Sequence, residues 1–517
     1  MAIGSLTSKS YAFPLKPKDY AAKPLPSLQE WKDLWAAWHL VSTKMIPADA
    51  LMEQPIPLRN PLLFYLGHIP AFEDIHLTRA INGKPVEPAV YHDYFGRGID
   101  PDVNDPTQCH DHSELPKTWP SLQNILDYRD RVNQRIIGLY DDPKTFGNRT
   151  IERALWIGFE HEALHLETFL YMTLQSPNIK PPPGPAPDFA AMAKKAHLKR
   201  VENQWFQIPA QEFTIGFDDP ESDDGPDRFF AWDNEREPYS VAIPEFEAQA
   251  RPVCNEEYAT YLISAGKTEA IPVSWTKLPK PGVNEHAING NNGVNDHHTN
   301  DNGLNGHGSN GHSTNGNRVK NDALQQFINT HAIKTVYGPI PLTLALDWPL
   351  MSSYQEAEAY AEWVGARIPT LHEVRSIHEL VEKQKKATFA HKDIEVKNKR
   401  LDPEEIFVDL TGCNTGLQNF HPTPVTQNGG RLSGLGDMGG AWEWSSSWFA
   451  PQPNFKPMDI YPGYSADFMH GKHKAIVGGS WAVHPRISGR KSFLNWWQVD
   501  YPYPWVTPRL VRNINKN

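Results

Sequence analysis

One stripe of residues constrains this chain more than any other feature. Ile151, Ala154, Gly158, His161, His165, Thr168 and Met172 recur at spacings of three and four, the period of an α-helix with one face turned inward. The helix starts near Asn148 or Thr150 and ends before Pro181-Pro182-Pro183, because proline cannot continue it. Two inward positions are histidines one turn apart, so their imidazoles leave the same face about 6 Å apart and can reach one ion. A lone inward histidine reads as a satisfied core residue, but a pair at this spacing points to a metal site. Glu167 follows two positions later.

The same residues spell His161-Glu-Ala-Leu-His165, the zinc-protease pattern in which Glu162 would be the general base. No His-x-x-Gly-x-x-His follows; the chain runs through Leu170 to Gln175 and into the prolines. The protease is therefore the weaker reading.

With 517 residues the chain is expected to form more than one domain, each with its own core. A formal net charge of -11 argues against nucleic acid or an anionic membrane as partner. Three cysteines, Cys109, Cys254 and Cys413, are too few and too scattered for a disulfide framework and suit a reducing compartment. Neither a secretory h-region nor a run of 18 apolar residues occurs, which leads to the expectation of a soluble cytoplasmic protein.

Four segments of the first 190 residues are expected to be helices. Ser27-Leu-Gln-Glu30 is a capping box ahead of Trp31, Leu34, Trp35 and Trp38. Asn60-Pro61 reads as a cap followed by proline at the first helical position, opening a helix through Leu62, Tyr65 and His68. The third runs from Ser121 to Tyr140, and the His161 helix is the fourth. Four amphipathic helices suggest a bundle, whose core is where facing helices assemble metal sites. His68 is the best third ligand, since Gly67 permits close approach and Pro70 is expected to disturb the helix just beyond it. His39, His76 and His92 compete for that role.

From about Val201 the texture changes to short apolar runs between Gly, Pro and Asn turns, with helices few and clearest at Ser353 to Val364. This reads as an α+β domain rich in loops. Asp437-Met-Gly-Gly-Ala-Trp-Glu-Trp444 and Val477-Gly-Gly-Ser-Trp481 combine tight glycine turns with indoles expected to be buried. From about Asn284 to Asn321 an Asn, Gly, His and Asp tract has little to bury and is expected to be a disordered insertion. Its histidines, His286, His297, His298, His307 and His312, read as part of a solvated loop.

Leu66-Gly67-His68, the His161-x-x-x-His165-x-Glu167 helix, Arg367-Ile-Pro-Thr370, Gly439-Gly-Ala-Trp-Glu-Trp444, Gly478-Gly-Ser-Trp481 and Phe493-Leu-Asn-Trp496 together resemble the non-heme iron sulfoxide synthases of ergothioneine biosynthesis. The resemblance implies a multidomain chain: a four-helix DinB-like bundle over residues 1–190, then an α+β, C-type-lectin-like, sulfatase-modifying-factor domain over 195–517. Gly98-Ile-Asp-Pro-Asp102 and Cys109-His-Asp-His-Ser113 look most like the fungal branch. Fungal members usually carry an added methyltransferase domain, so hercynine is expected from a separate enzyme here.

The resemblance implies Fe(II) held by His68, His161 and His165, with open positions for chemistry. It implies O2, cysteine or γ-glutamylcysteine, and hercynine or a related imidazole as substrates, joined through a carbon–sulfur bond with oxidation to a sulfoxide. Asn495 and Trp496 match the pair that contacts the betaine, an indole face suiting a trimethylammonium group. Trp497 follows in the same wall. Tyr461 and Tyr464 both fit the catalytic tyrosine, with Tyr461 preferred. Arg97 is a candidate carboxylate anchor, against the alternative of a surface ion pair.

Two positions depart from the bacterial pattern: Leu164 replaces Gln and Trp497 replaces Asp. Both changes remove polar contacts, which favours cysteine over γ-glutamylcysteine and leaves open a paralogue acting on another substrate. A non-catalytic scaffold is a further alternative, opposed by the three intact histidines. Formylglycine formation needs a cysteine pair after the Gly-Gly-Ser motif, where this chain has Val483 and Ser488.

Overall fold

The computed structural model describes residues 7–57, 59–98, 115–221, 228–279, 314–389 and 402–514. The first half is built from four long helices: α1, Leu28–His39; α2, Leu62–Ala80; α3, Leu122–Asp141; and α4, Arg149–Thr173. Their starts are set by side-chain caps. Ser27 Oγ accepts from Glu30 N at 3.2 Å while the Glu30 carboxylate accepts from Ser27 N at 2.7 Å, the reciprocal box expected. Ser121 and Asn148 cap α3 and α4 by the one-way bond, their side-chain oxygens accepting from Asn124 N and Ile151 N.

The start of α2 differs from expectation. Pro61 itself is the extended N-cap, and Leu62 is the first helical residue. Proline's restricted φ and missing N–H suit either position. Pro70 does not end or break the helix, which continues to Ala80. Helix α2 is buried along nearly every face from Leu62 to Asp74 and packs against both α3 and α4, so tertiary contact outweighs the one lost backbone hydrogen bond. Trp31 of α1 meets Phe159 edge-on at 5.2 Å, and Trp38 meets Phe169 at 5.3 Å, which seats α1 on α4.

The second half is α+β. Its main sheet runs β3-β2-β1-β4, with β1 Trp442–Trp448, β2 His473–Gly478, β3 Asn495–Gln498 and β4 Val506–Thr507. The first three are antiparallel, and β4 pairs parallel to β1. Gly439 and Gly440 take φ of +71° and +93°, a turn open to glycine at little cost, and it delivers Trp442 and Trp444 into the core as expected. Smaller sheets and hairpins surround this one.

Helices are more numerous here than the sequence suggests. Tyr354–Trp363 is the one foreseen, but Asn255–Ser264 and Leu371–Phe389 are equally well formed. The helix Phe189–Leu198 lies across the expected boundary at 190–195, and Phe189 packs on Tyr337, Trp348 and His421. The N-terminal segment also reaches the second half, with Tyr20 Oη donating to Val408 O at 2.8 Å.

The tract at 284–321 lies outside the described residues as far as 313, along with its five histidines. Its end, 314–321, is not disordered: it opens a helix, Thr314–Asn329, that packs beside Asn255–Ser264. Residues 99–113 of the two fungal-like phrases, including Cys109, also lie outside them. Cys254 and Cys413 are free thiols. Among the described residues no helix is long and apolar enough to cross a membrane.

Candidate metal centre and substrate cavity

Helix α2 brings His68, and α4 brings His161 and His165, to one point in the bundle. Their ring centroids are 4.9, 5.0 and 4.5 Å apart, and one ligand atom from each lies within 4.8 Å of the others. His39, His76 and His92 are not part of this group.

Gly67 contributes as expected, through close approach. A Cβ there would sit 2.8 Å from the Phe95 ring, and the Phe95 carbonyl lies 2.7 Å from His68 Nδ1. A carbonyl only accepts, so His68 carries its proton on Nδ1 and turns Nε2 to a metal. Phe72 lies flat on His161, 3.7 Å between centroids at 12°. Burial, and then the neighbouring imidazoles, hold His161 and His165 well below the ordinary histidine range, leaving the neutral rings that a cation binds. Three neutral nitrogens fit a divalent transition metal.

The carboxylates beside the histidines are committed elsewhere. Glu162 forms an ion pair with Arg129 of α3 and does not line the cavity at the histidines, so it lacks the placement of a protease base. Glu167 accepts the Trp442 indole N–H at 2.8 Å. Burial, offset in part by hydrogen bonds from Ser480 and Trp442, pushes its carboxyl up to about 7.

The bundle and the second half enclose a cavity of about 190 Å³. His68, His161, His165, Arg97, Tyr461, Tyr464, Asn495, Trp496 and Trp497 all line it, so the nine candidate metal, tyrosine and substrate residues meet in one place. Tyr461 packs edge-on against Phe72 at 5.3 Å, one ring away from His161. Tyr464 stacks on Trp232 at 3.9 Å and meets Trp496 at 5.4 Å. Trp496 has one face covered by Phe449, 4.1 Å away at 15°, and joins a core cluster with Leu371 and Val374. Asn495 Oδ1 accepts from the Trp496 amide at 2.9 Å. Trp497 stacks on Tyr501 at 5.2 Å. Arg97 is ion-paired with a half-exposed Asp467, the surface alternative foreseen for it. Val483 and Ser488 are buried, and Ser488 Oγ accepts from Thr415 at 2.9 Å.

Sequence reasoning missed Arg59, Tyr65, His473 and Tyr501, which also line the cavity. Arg59 Nε donates to Tyr501 Oη at 3.1 Å across 442 positions, a partnership with no local signal.

Residues 191–514 match the family model for the sulfatase-modifying factor enzyme 1-like domain, and residues 26–169 match the DinB superfamily. The chain belongs to the sulfatase-modifying factor enzyme 1-like family. Within that family it is a multidomain chain, with a DinB-like helical part ahead of the α+β domain. It is 42% identical to ergothioneine biosynthesis protein 1 of Neurospora crassa, over 98% of this chain and 60% of the relative. The protein of the same name in Schizosaccharomyces pombe is 30% identical, over 95% of this chain and 56% of the relative. The chain thus spans less than two thirds of the length of these fungal relatives. Hercynine oxygenase of Mycobacterium tuberculosis is 28% identical, over 86% of this chain and 89% of the relative.

Proposed function

We propose that this chain is an Fe(II)- and O2-dependent sulfoxide synthase that joins the sulfur of cysteine to the imidazole of hercynine, with γ-glutamylcysteine as the alternative thiol. One observation carries the reading: three converging imidazoles from two bundle helices and the Asn495-Trp496-Trp497 wall of the second half line the same cavity of about 190 Å³. The names of the relatives, ergothioneine biosynthesis protein 1 and hercynine oxygenase, agree with it. In the overall reaction one thiol S–H and one imidazole C–H are lost, a C–S bond and an S=O bond form, and O2 is reduced, with its second oxygen leaving as water.

Fe(II) bound by three neutral nitrogens would supply the reduction of dioxygen, which zinc cannot. The protein's part is positioning and proton supply. His68 is fixed in tautomer by the Phe95 carbonyl. Tyr461, whose ring packs against the ring that lies on His161, would be the proton donor. Trp496 offers the indole face not covered by Phe449 to the trimethylammonium group, and the adjoining aromatic rings keep water out. The apolar Leu164 and Trp497 in the lining favour the smaller thiol.

The test is anaerobic reconstitution with Fe(II), then oxygen exposure with cysteine or γ-glutamylcysteine plus hercynine or histidine, with products read by mass. An oxygen-dependent sulfoxide of cysteine and hercynine is expected. No oxygen-dependent product from any pair contradicts the proposal.

A further inference from the structure

We propose a second ligand site apart from the three histidines. The cavity between the N-terminal segment and the start of α4 takes an uncharged, planar aromatic molecule whose hydrogen-bond acceptor meets Nε2 of His484.

This cavity has a volume of about 730 Å³, against about 190 Å³ at the histidines, and the two share no lining residue among the described residues. Its size is that of a small-molecule site. Rings and prolines make up much of its wall, with Phe13, Tyr140 and Phe146 beside Pro24 and Pro26. Such surfaces receive a flat ring through stacking and edge contacts. The wall is tied in place from the second half, because the Arg486 guanidinium donates to Lys23 O at 3.0 Å and to Pro24 O at 3.2 Å.

The charged side chains of the lining are matched or lie at the mouth. Arg149 donates to Asp219 at 2.9 Å, Arg486 donates to Glu30 at 2.8 Å, and Glu152 accepts from the Gly147 amide at 3.0 Å. Asp19, Lys23 and Asp33 are exposed. A charged ligand would lose its hydration here without a buried counter-charge waiting for it, which selects an uncharged one.

His484 supplies the polar contact. It is 2% exposed, and its Nδ1 accepts from the Arg486 amide at 3.1 Å. An accepting nitrogen carries no proton, and burial keeps the ring neutral, so the proton sits on Nε2. That N–H has no acceptor among the described residues. Phe13 packs on the ring at 4.4 Å and Phe159 meets it edge-on at 5.2 Å, so the donor is oriented before a ligand arrives. A buried donor left unpaired is costly, and a carbonyl or ring nitrogen on the ligand would satisfy it.

The probes are 1-indanone and indane, flat molecules of the same skeleton that differ by one carbonyl acceptor. Their binding to the full chain is measured by NMR titration in wild type, His484→Phe and Ala22→Trp. Wild type should bind 1-indanone at one site about threefold or more tighter than indane. His484→Phe should remove that preference while leaving indane within about twofold. Ala22 is an exposed residue of the lining, so Ala22→Trp fills the cavity without entering the core and should abolish binding of both probes.

No binding to wild type, equal affinities for the two probes, or an unchanged preference in His484→Phe overturns the site. If His484→Phe does not fold, Ala22→Trp decides: binding of 1-indanone as tight as in wild type places the probe elsewhere and overturns the site. None of these outcomes bears on the sulfoxide-synthase reading, which rests on the other cavity.

Discussion

Trp442 of β1 donates its indole N–H to Glu167 of α4 at 2.8 Å, two residues from His165. A side chain 275 positions further along thereby braces the helix that carries two of the three candidate ligands. Because Glu167 is buried, losing this donor removes one of the two hydrogen bonds, from Trp442 and Ser480, that offset its burial. Trp442→Phe is expected to lower unfolding free energy by about 1–3 kcal/mol and Fe(II) affinity by about 10–100-fold. Urea unfolding and competition with a metal chelator measure the two effects.

A second brace is ionic. Arg490 donates to Glu160 Oε2 at 2.8 Å and to Glu235 Oε1 at 2.8 Å, and all three side chains are buried. Arg490→Met would strand two carboxylates in a low-dielectric contact between the bundle and the second half. Unfolding free energy should fall by about 3–5 kcal/mol, read by denaturant titration. A loss below about 1 kcal/mol would mean that water reaches the pair.

The wall formed by Asn495 and Trp496 has its own support. Arg375 donates to the carbonyls of Lys491, Ser492 and Phe493, the last two at 2.9 and 2.6 Å, and so clamps the backbone just ahead of Asn495-Trp496. Arg375→Met is expected to raise KM for hercynine about tenfold or more while leaving Fe(II) affinity within about twofold. Steady-state kinetics and metal titration separate the two, and an equal loss in both would make Arg375 a general stabiliser.

Asp233 links pH to the loop that carries Tyr464. Burial pushes its carboxyl up to about 6, against hydrogen bonds that include Ser465. The folded state therefore binds more protons than the unfolded chain between about pH 4 and 6. The resulting stability is fully present below about pH 4 and is lost as pH rises through about 6. A two-unit difference corresponds to about 3 kcal/mol. Asp233→Asn should remove this slope, so its Tm relative to wild type should rise from pH 4 to pH 7. A constant difference would contradict the assignment.

What was legible in the sequence was local or periodic. Ser27-Glu30 and Asn148 announce helix starts through caps within three residues, and His161 and His165 share a face by helical spacing alone. Pro70 misled because α2 is packed on nearly every side, and that packing is absent from local propensity. Leu371–Phe389 was overlooked although Leu371, Val374, Ile377 and Val381 recur at helical spacing and are buried, because charge dominates its later turns. Arg59 and Tyr501 were invisible together, since only the closed cavity makes them neighbours. Residue types with few bland uses, the inward histidine pair above all, carried most of the site.

The most direct measurement is metal content. Anaerobically loaded protein should hold one Fe(II) per chain, and His68→Ala, His161→Ala and His165→Ala should each lose stoichiometric iron while retaining wild-type circular dichroism. One tightly held iron in His68→Ala would contradict the three-histidine centre.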